Sequence, residues 1–162
     1  MPSPTIQKRK DTHMPFYSRK ATRIPNFDYS SCNYYFITIC THEKNCIFGT
    51  PMQLNRLGRI AEKHILQIPS YYKTVLIDKY VVMPNHIHMV VVLNGSENPP
   101  ITQIIGQFKS GVTKEIRKTN PELQIWQRSF HDHVIRDQVG YEKIWLYIES
   151  NPQCWEKDCF YT

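Results

Sequence analysis

Two apolar segments separated only by Pro84-Asn85 constrain this chain more than any other feature. Residues 74–83 and 86–93 are dominated by β-branched and aromatic side chains, the composition of strands, and the Pro-Asn pair between them is turn chemistry. A helical pattern lies on each side of this pair. Leu54, Leu57, Ala61, Ile65 and Ile68 recur at helical spacing, with Pro69 expected to close the helix. Ile104, Ile105, Phe108 and Val112 mark one side of a second helix over residues 101–118, after an evident loop at 94–100.

Outside the helices lie a strand, YYFITICT (34–41), and a shorter one over residues 130–136. Gly49-Thr50-Pro51 reads as a loop. A last helix is predicted over residues 139–150, ended by Asn151-Pro152. The order β-α-β-β-α-β, then a helix, predicts an α+β fold of the ferredoxin-like split βαβ kind. Its antiparallel sheet would carry helices on one face, with a C-terminal helix added. Many RNA-binding domains and small enzymes share that arrangement, so the fold alone names no function.

Residues 1–30 carry Lys8-Arg9-Lys10, Arg19-Lys20 and several prolines without apolar periodicity. They are read as a basic N-terminal arm, extended, disordered, or laid on the domain or on DNA, ahead of one domain over residues 31–162. Twenty Lys and Arg against 14 Asp and Glu give a net charge of +6, which suits a polyanionic partner. No apolar run reaches membrane-spanning length and no secretory leader stands at the start, so a cytoplasmic protein is expected. The five cysteines include no C-x-x-C pair, which points to reduced thiols. Cys40, His42 and Cys46 match no standard zinc spacing and read as ordinary strand and loop residues.

The sharpest local feature is VVMPNHIHMVVV (81–92). His86 and His88 are two apart in a strand, so both imidazoles point to the same face. Such a pair suits a divalent metal, and it equally suits two ordinary sheet histidines. Two imidazoles are too few for a closed structural zinc site, so a metal reading needs a third ligand and leaves open positions for substrate. In the last helix, Tyr141, Ile144, Trp145 and Ile148 fall on one stripe, the expected packing face. Tyr147 lies off that stripe, and Asn151, four residues on, shares its side. Pro152 biases Asn151 away from helical geometry. Tyr147 is thus either a nucleophile beside a polar partner or a tyrosine near a helix end, and Tyr141 is its main rival among ten tyrosines.

Taken in order, RIPNFDYS (23–30), YYFITICT, LNRLGRI (54–60), VVMPNHIHMVV, IIGQFKSGVTKEI (104–116), IWQRSFHDHVIRD (125–137) and YEKIWLYIESNPQCW (141–155) resemble successive segments of one family. It is that of the REP-associated tyrosine transposases and their single-tyrosine HUH insertion-sequence relatives. The resemblance spans nearly the whole chain. It implies that His86 and His88 are the histidine pair of the HUH motif and that Tyr147, on the C-terminal helix, is the catalytic nucleophile. It further implies that Asn151 is the third metal ligand, where insertion-sequence relatives have Gln, and that Mg²⁺ or Mn²⁺ is the cofactor. The implied activity is a transposase and endonuclease that cuts and rejoins single-stranded or hairpin DNA through a 5′-phosphotyrosine.

Lys109, Lys114, Arg117 and Lys118 on the second helix are candidate DNA contacts, or else a solvated helix face. Family members work as homodimers that exchange the tyrosine helix or as monomers, and both arrangements stay open. The rival from another class is a non-catalytic single-stranded nucleic-acid-binding domain with the same fold.

Overall fold

Alternation along the first strand decides which side of the sheet each layer occupies. The computed structural model describes residues 23–162, and strand β1 is Tyr34–Cys40. Tyr35, Ile37 and Ile39 point to one face, and Phe36, Thr38 and Cys40 to the other. The remaining elements are β2 (Gly49–Thr50), β3 (Gln53–Leu54), α1 (Arg56–Tyr71), β4 (Val75–Met83), β5 (His86–Leu93), α2 (Ile101–Ile116), β6 (His131–Ile135) and α3 (Gln138–Ser150). Short 3-10 turns follow β1 and α3.

The main sheet has the order β4-β5-β1-β6 with every pairing antiparallel. Its four long strands therefore lie in the order second, third, first, fourth, as the split βαβ reading requires. Helices α1 and α2 cover one face. Ile60, Ala61, Ile65 and Ile68 of α1 and Ile104, Ile105, Phe108 and Val112 of α2 pack on Tyr35, Ile37, Met89 and Val91. Helix α3 crosses the opposite face, where Ile144 and Ile148 meet Phe36, Val90, Val92 and Ile135. Of the stripe that the sequence predicts as the packing side of α3, Tyr141, Ile144 and Ile148 pack on this face, Tyr147 joins them, and Trp145 instead lies under the Lys79 ammonium.

Two local expectations change. Pro69 sits inside α1 rather than at its end. In the last turn a proline forfeits only one hydrogen bond, and the Tyr72 amide donates to the Ile68 carbonyl at 3.2 Å to close the helix. The loop expected at residues 49–51 contains a small hairpin, β2–β3. Its Gly49 has a φ of +112°, and a Cβ there would lie 2.5 Å from the Gln53 carbonyl oxygen, so only glycine fits.

Of the expected basic arm, residues 1–22 lie outside the described residues. Arg23 stacks over the Phe130 ring at 3.9 Å and pairs with Asp132 at 2.6 Å, while Phe27 and Tyr29 pack against the main core. These contacts hold the end of the arm to the edge strand β6.

Candidate active site

The register of β1 on β5 sets the histidines. Thr38 stands opposite His88 and Cys40 opposite His86, so both imidazoles occupy the face that α3 crosses. The rings lie 4.5 Å apart, centroid to centroid, and both residues are fully buried.

Neighbours orient both rings and place the proton on His86. The Asn85 amide nitrogen donates to the carbonyls of Phe160 at 2.8 Å and Lys44 at 3.2 Å, so its oxygen is left to accept. That oxygen is 2.8 Å from His86 Nδ1, which must therefore carry the proton. His86 Nε2 is left as a buried lone pair with no hydrogen-bond partner among the described residues, 4.0 Å from Asp158 Oδ2. The turn behind it is braced: the Thr41 amide and hydroxyl each donate to the Asn85 carbonyl at 2.9 Å. Glu43 and Lys44 adopt left-handed φ values of 51° and 56°, strained for residues with side chains, in the loop that offers Asn85 a carbonyl. His88 Nδ1 is 2.9 Å from the Thr38 hydroxyl, which aims Nε2 into the same space.

Helix α3 brings the tyrosine. The Tyr147 hydroxyl lies 3.4 Å from His88 Nε2 and donates to Asp158 Oδ2 at 3.3 Å. Its ring meets Phe36 and His88 edge-on. Asn151 stays helical despite Pro152, with φ −57° and ψ −43°, and the turn continues as the Cys154 amide donates to the Ser150 and Asn151 carbonyls. Asn151 therefore keeps Tyr147's side. Its amide donates to Asp158 Oδ2, and its Oδ1 is buried with no hydrogen-bond partner among the described residues. Tyr141, the rival, turns its hydroxyl elsewhere and donates to Asp78 at 2.6 Å.

Asp158 is the residue that sequence reasoning missed. Among the described residues, His86, His88 and Asp158 are the one group of three His, Cys, Asp or Glu side chains whose donor atoms converge, all within 4.8 Å of one another. Asp158 lies in a polar stretch after α3 where no spacing rule ties it to the histidines. Only the three-dimensional return of the chain could have found it.

That return also seals the site. Phe160 stacks 4.5 Å from the His86 ring and Trp155 lies 5.9 Å from it. Burial drives His86 down to about 4, against the pull of the Asp158 carboxylate, and holds His88 well below its usual value with help from His86. Both imidazoles are neutral, the form that binds metal. Burial, reinforced by Asp158, raises the Tyr147 phenol well above its usual range.

The donors fit a divalent cation. Three side chains converge, two of them imidazoles, and on His86 the Asn85 oxygen keeps the proton on the outer nitrogen. The two buried side-chain atoms without hydrogen-bond partners among the described residues, His86 Nε2 and Asn151 Oδ1, both belong to expected ligands.

The sequence from residue 28 to 151 matches the family model described as "Transposase IS200 like". The chain belongs to the IS200-like transposase family. A Haemophilus influenzae protein described as uncharacterized is 36% identical to it over 170 residues, covering 90% of this transposase and 94% of its own length. Another protein of that organism, a "Putative REP-associated tyrosine transposase", is 28% identical over 134 residues, covering 77% and 73%.

A solved structure of a REP-associated tyrosine transposase bound to a REP hairpin aligns with a TM-score of 0.63 at 20% identity, over 82% of this chain and 73% of that one. A Deinococcus radiodurans protein described as a putative transposase aligns at 0.53 and 13% identity, over 79% and 97%. At these identities the likeness shows a common fold. The resemblance read from the motifs is borne out.

The four basic residues that the sequence offers as DNA contacts fall into two settings. The Lys109 ammonium, half-buried, donates to the carbonyls of Gln127 and Ser129, both at 2.8 Å, and burial lowers its pKa. Lys114, Arg117 and Lys118 are exposed at the end of α2, across the sheet from the histidines. No helix among the described residues is long and apolar enough to cross a membrane.

Proposed function

We propose that this transposase cuts and rejoins single-stranded DNA, at hairpin elements, through a covalent 5′-phosphotyrosine on Tyr147. The observation that carries the reading is the approach of the Tyr147 hydroxyl to His88 Nε2, 3.4 Å, beside His86 Nε2 and Asn151 Oδ1, the two buried side-chain atoms without hydrogen-bond partners among the described residues. His86 and His88 would hold a divalent cation, Mg²⁺ or Mn²⁺, with Asn151 Oδ1 or the Asp158 carboxylate as the third ligand. When bound, such an ion neutralises charge on the scissile phosphate and fixes it in line for attack.

The chain's own groups divide the rest of the work. Phe36 and His88 hold the phenol ring edge-on, so its oxygen faces the site. Asp158 Oδ2 already accepts the phenol's hydrogen bond and is placed to take its proton. The phenolic oxygen then bonds to phosphorus while the O3′–P bond breaks, leaving a 3′-oxygen that picks up a proton from solvent. The phosphotyrosine retains the diester's bond energy, so a 3′-hydroxyl can reverse the step without ATP. The Trp155 and Phe160 rings lie against His86, so these rings shift when a phosphate reaches the histidines.

Lys114, Arg117 and Lys118 supply phosphate contacts on the outer helical layer. Lys109 contributes by fixing the loop before β6. A single chain brings tyrosine and histidines together, which supports a monomer that acts on its own.

The test is Tyr147→Phe. Covalent attachment to single-stranded DNA, read as a protease-sensitive adduct on a denaturing gel, should vanish while binding changes little. An adduct that persists would move the nucleophile, with Tyr141 the next to examine. Metal-supported cleavage in the wild type excludes the purely binding reading.

A further inference from the structure

The face that holds Tyr147 and the histidines continues along β1 and β6 beyond the site. His131 stands opposite Thr38, His133 opposite Phe36 and Ile135 opposite Tyr34, so these β6 side chains share the histidine face at the sheet's edge. At the far end is an open cavity of about 410 Å³ lined by Tyr34, Ile135, Arg136, Asp137, Gln138 and Tyr141. Tyr34 meets Tyr141 edge-to-face at 5.7 Å and is 43% exposed, so its ring is open to a ligand.

The cavity is in line with the chemistry. Tyr141 and Tyr147 are six residues apart on α3, about 9 Å along its axis. Tyr34 is four residues from Thr38 on β1, about 14 Å. A strand of DNA with its scissile phosphate at Tyr147 would reach the cavity with a nucleotide a few positions away.

The lining decides which part of the nucleotide fits. Asp137 and the adjoining Asp78 carry carboxylates, which repel a phosphate inside the cavity. Both are already engaged, Asp137 by the Gly140 amide at 2.7 Å and Asp78 by the Tyr141 hydroxyl. Tyrosine rings beside amide and carboxylate acceptors suit a neutral base instead. Arg136, exposed, supplies the cation for the phosphate next to it.

We propose that this cavity is a subsite for one unpaired base of the DNA strand, a few nucleotides from the bond being cut. The base stacks on Tyr34 and Arg136 holds its phosphate. The inference rests on the single-stranded DNA reading above and adds a place where that strand is read.

The test compares two labelled probes by fluorescence anisotropy, with chelator present so that nothing is cut. One is a twelve-residue oligothymidine, and the other is an abasic strand with the same phosphates. The native protein should bind the thymidine strand about tenfold more tightly, the size of one base–aromatic stack. Tyr34→Ala should remove that preference while leaving the abasic probe within about twofold, and Tyr34→Trp should restore it.

Arg136→Gln should weaken both probes alike. A native protein indifferent to the bases overturns the subsite. So does a Tyr34→Ala that weakens both probes equally or leaves the preference intact. Failure to form a tyrosine adduct would defeat the cleavage reading while leaving this binding comparison unaffected.

Discussion

The Tyr147 hydroxyl and His88 Nε2 stand 3.4 Å apart within one polypeptide. Helix α3 reaches this position because Ile144 and Ile148 pack on the same sheet face that displays the histidines. A tyrosine in reach of its own chain's histidines has a consequence for mixtures. Tyr147→Phe and His88→Ala proteins, each inactive alone, should stay inactive when combined, because neither chain holds a complete site. Recovery of adduct formation in the mixture, scored on the same denaturing gel, would show instead that the tyrosine helix is exchanged between subunits.

The proton on His86 is set by Asn85, so that residue should matter for metal binding without being a ligand. Asn85→Ala is expected to weaken Mn²⁺ binding by about 10- to 100-fold, the range for lost partners of ligating histidines. Asp158→Asn and Asn151→Ala, measured by the same calorimetric titration, identify the third ligand. The larger loss marks the residue that touches the ion. Equal affinity for Mn²⁺ in Asn85→Ala and the wild type would remove the case for a tuned imidazole.

Acid should unfold the metal-free protein sooner than its composition suggests. His86 is held at about 4 in the fold, and His88 well below its usual value, whereas unfolded histidines titrate near 6.5. As pH falls through the window from 6.5 to about 4, the unfolded chain takes up protons that the native site refuses, so stability is lost across it. Melting temperature followed between about pH 7 and about pH 4.5 should therefore fall. It should fall less steeply in a His86→Gln, His88→Gln double variant. Parallel curves for the two proteins would mean that the imidazoles are protonated in the fold.

Lys109 and the exposed lysines around the C-terminal end of α2 should part company under mutation. Lys109→Met strips the Gln127 and Ser129 carbonyls of their donor and should cost about 1–3 kcal/mol of stability, read by denaturant melts. Lys114→Ala and Lys118→Ala, on exposed residues, should leave the melts unchanged and reduce the salt dependence of DNA binding. An unchanged melt for Lys109→Met would return that residue to the list of direct phosphate contacts.

The long elements were readable because each carries many periods of its pattern. The stripe Ile104, Ile105, Phe108, Val112 and the apolar runs of β4 and β5 lie where the sequence predicts them. The hairpin β2–β3 was not readable, since two residues per strand give no alternation to see. The site divides in the same way. His86 and His88 are visible through strand alternation, and Tyr147 and Asn151 through helical spacing.

Asp158 and Phe160 act through a chain reversal that leaves no local pattern, and Asn85 is masked by its ordinary role as a turn residue. Asp78 shows a related limit. The β4–β5 register shifts between Ile77 and Lys79, and a bulge of that kind redirects a side chain against simple alternation.

The four-stranded sheet stands as a partition, with exposed cations of α2 on one side and the tyrosine on the other. DNA that engages both must turn around the rim of that wall. The distance from the outer helices, past an edge strand, to the phenol then acts as a ruler. Where the protein cuts would follow from how far a strand must travel after leaving its anchoring contacts, and not only from which bases lie beside the bond.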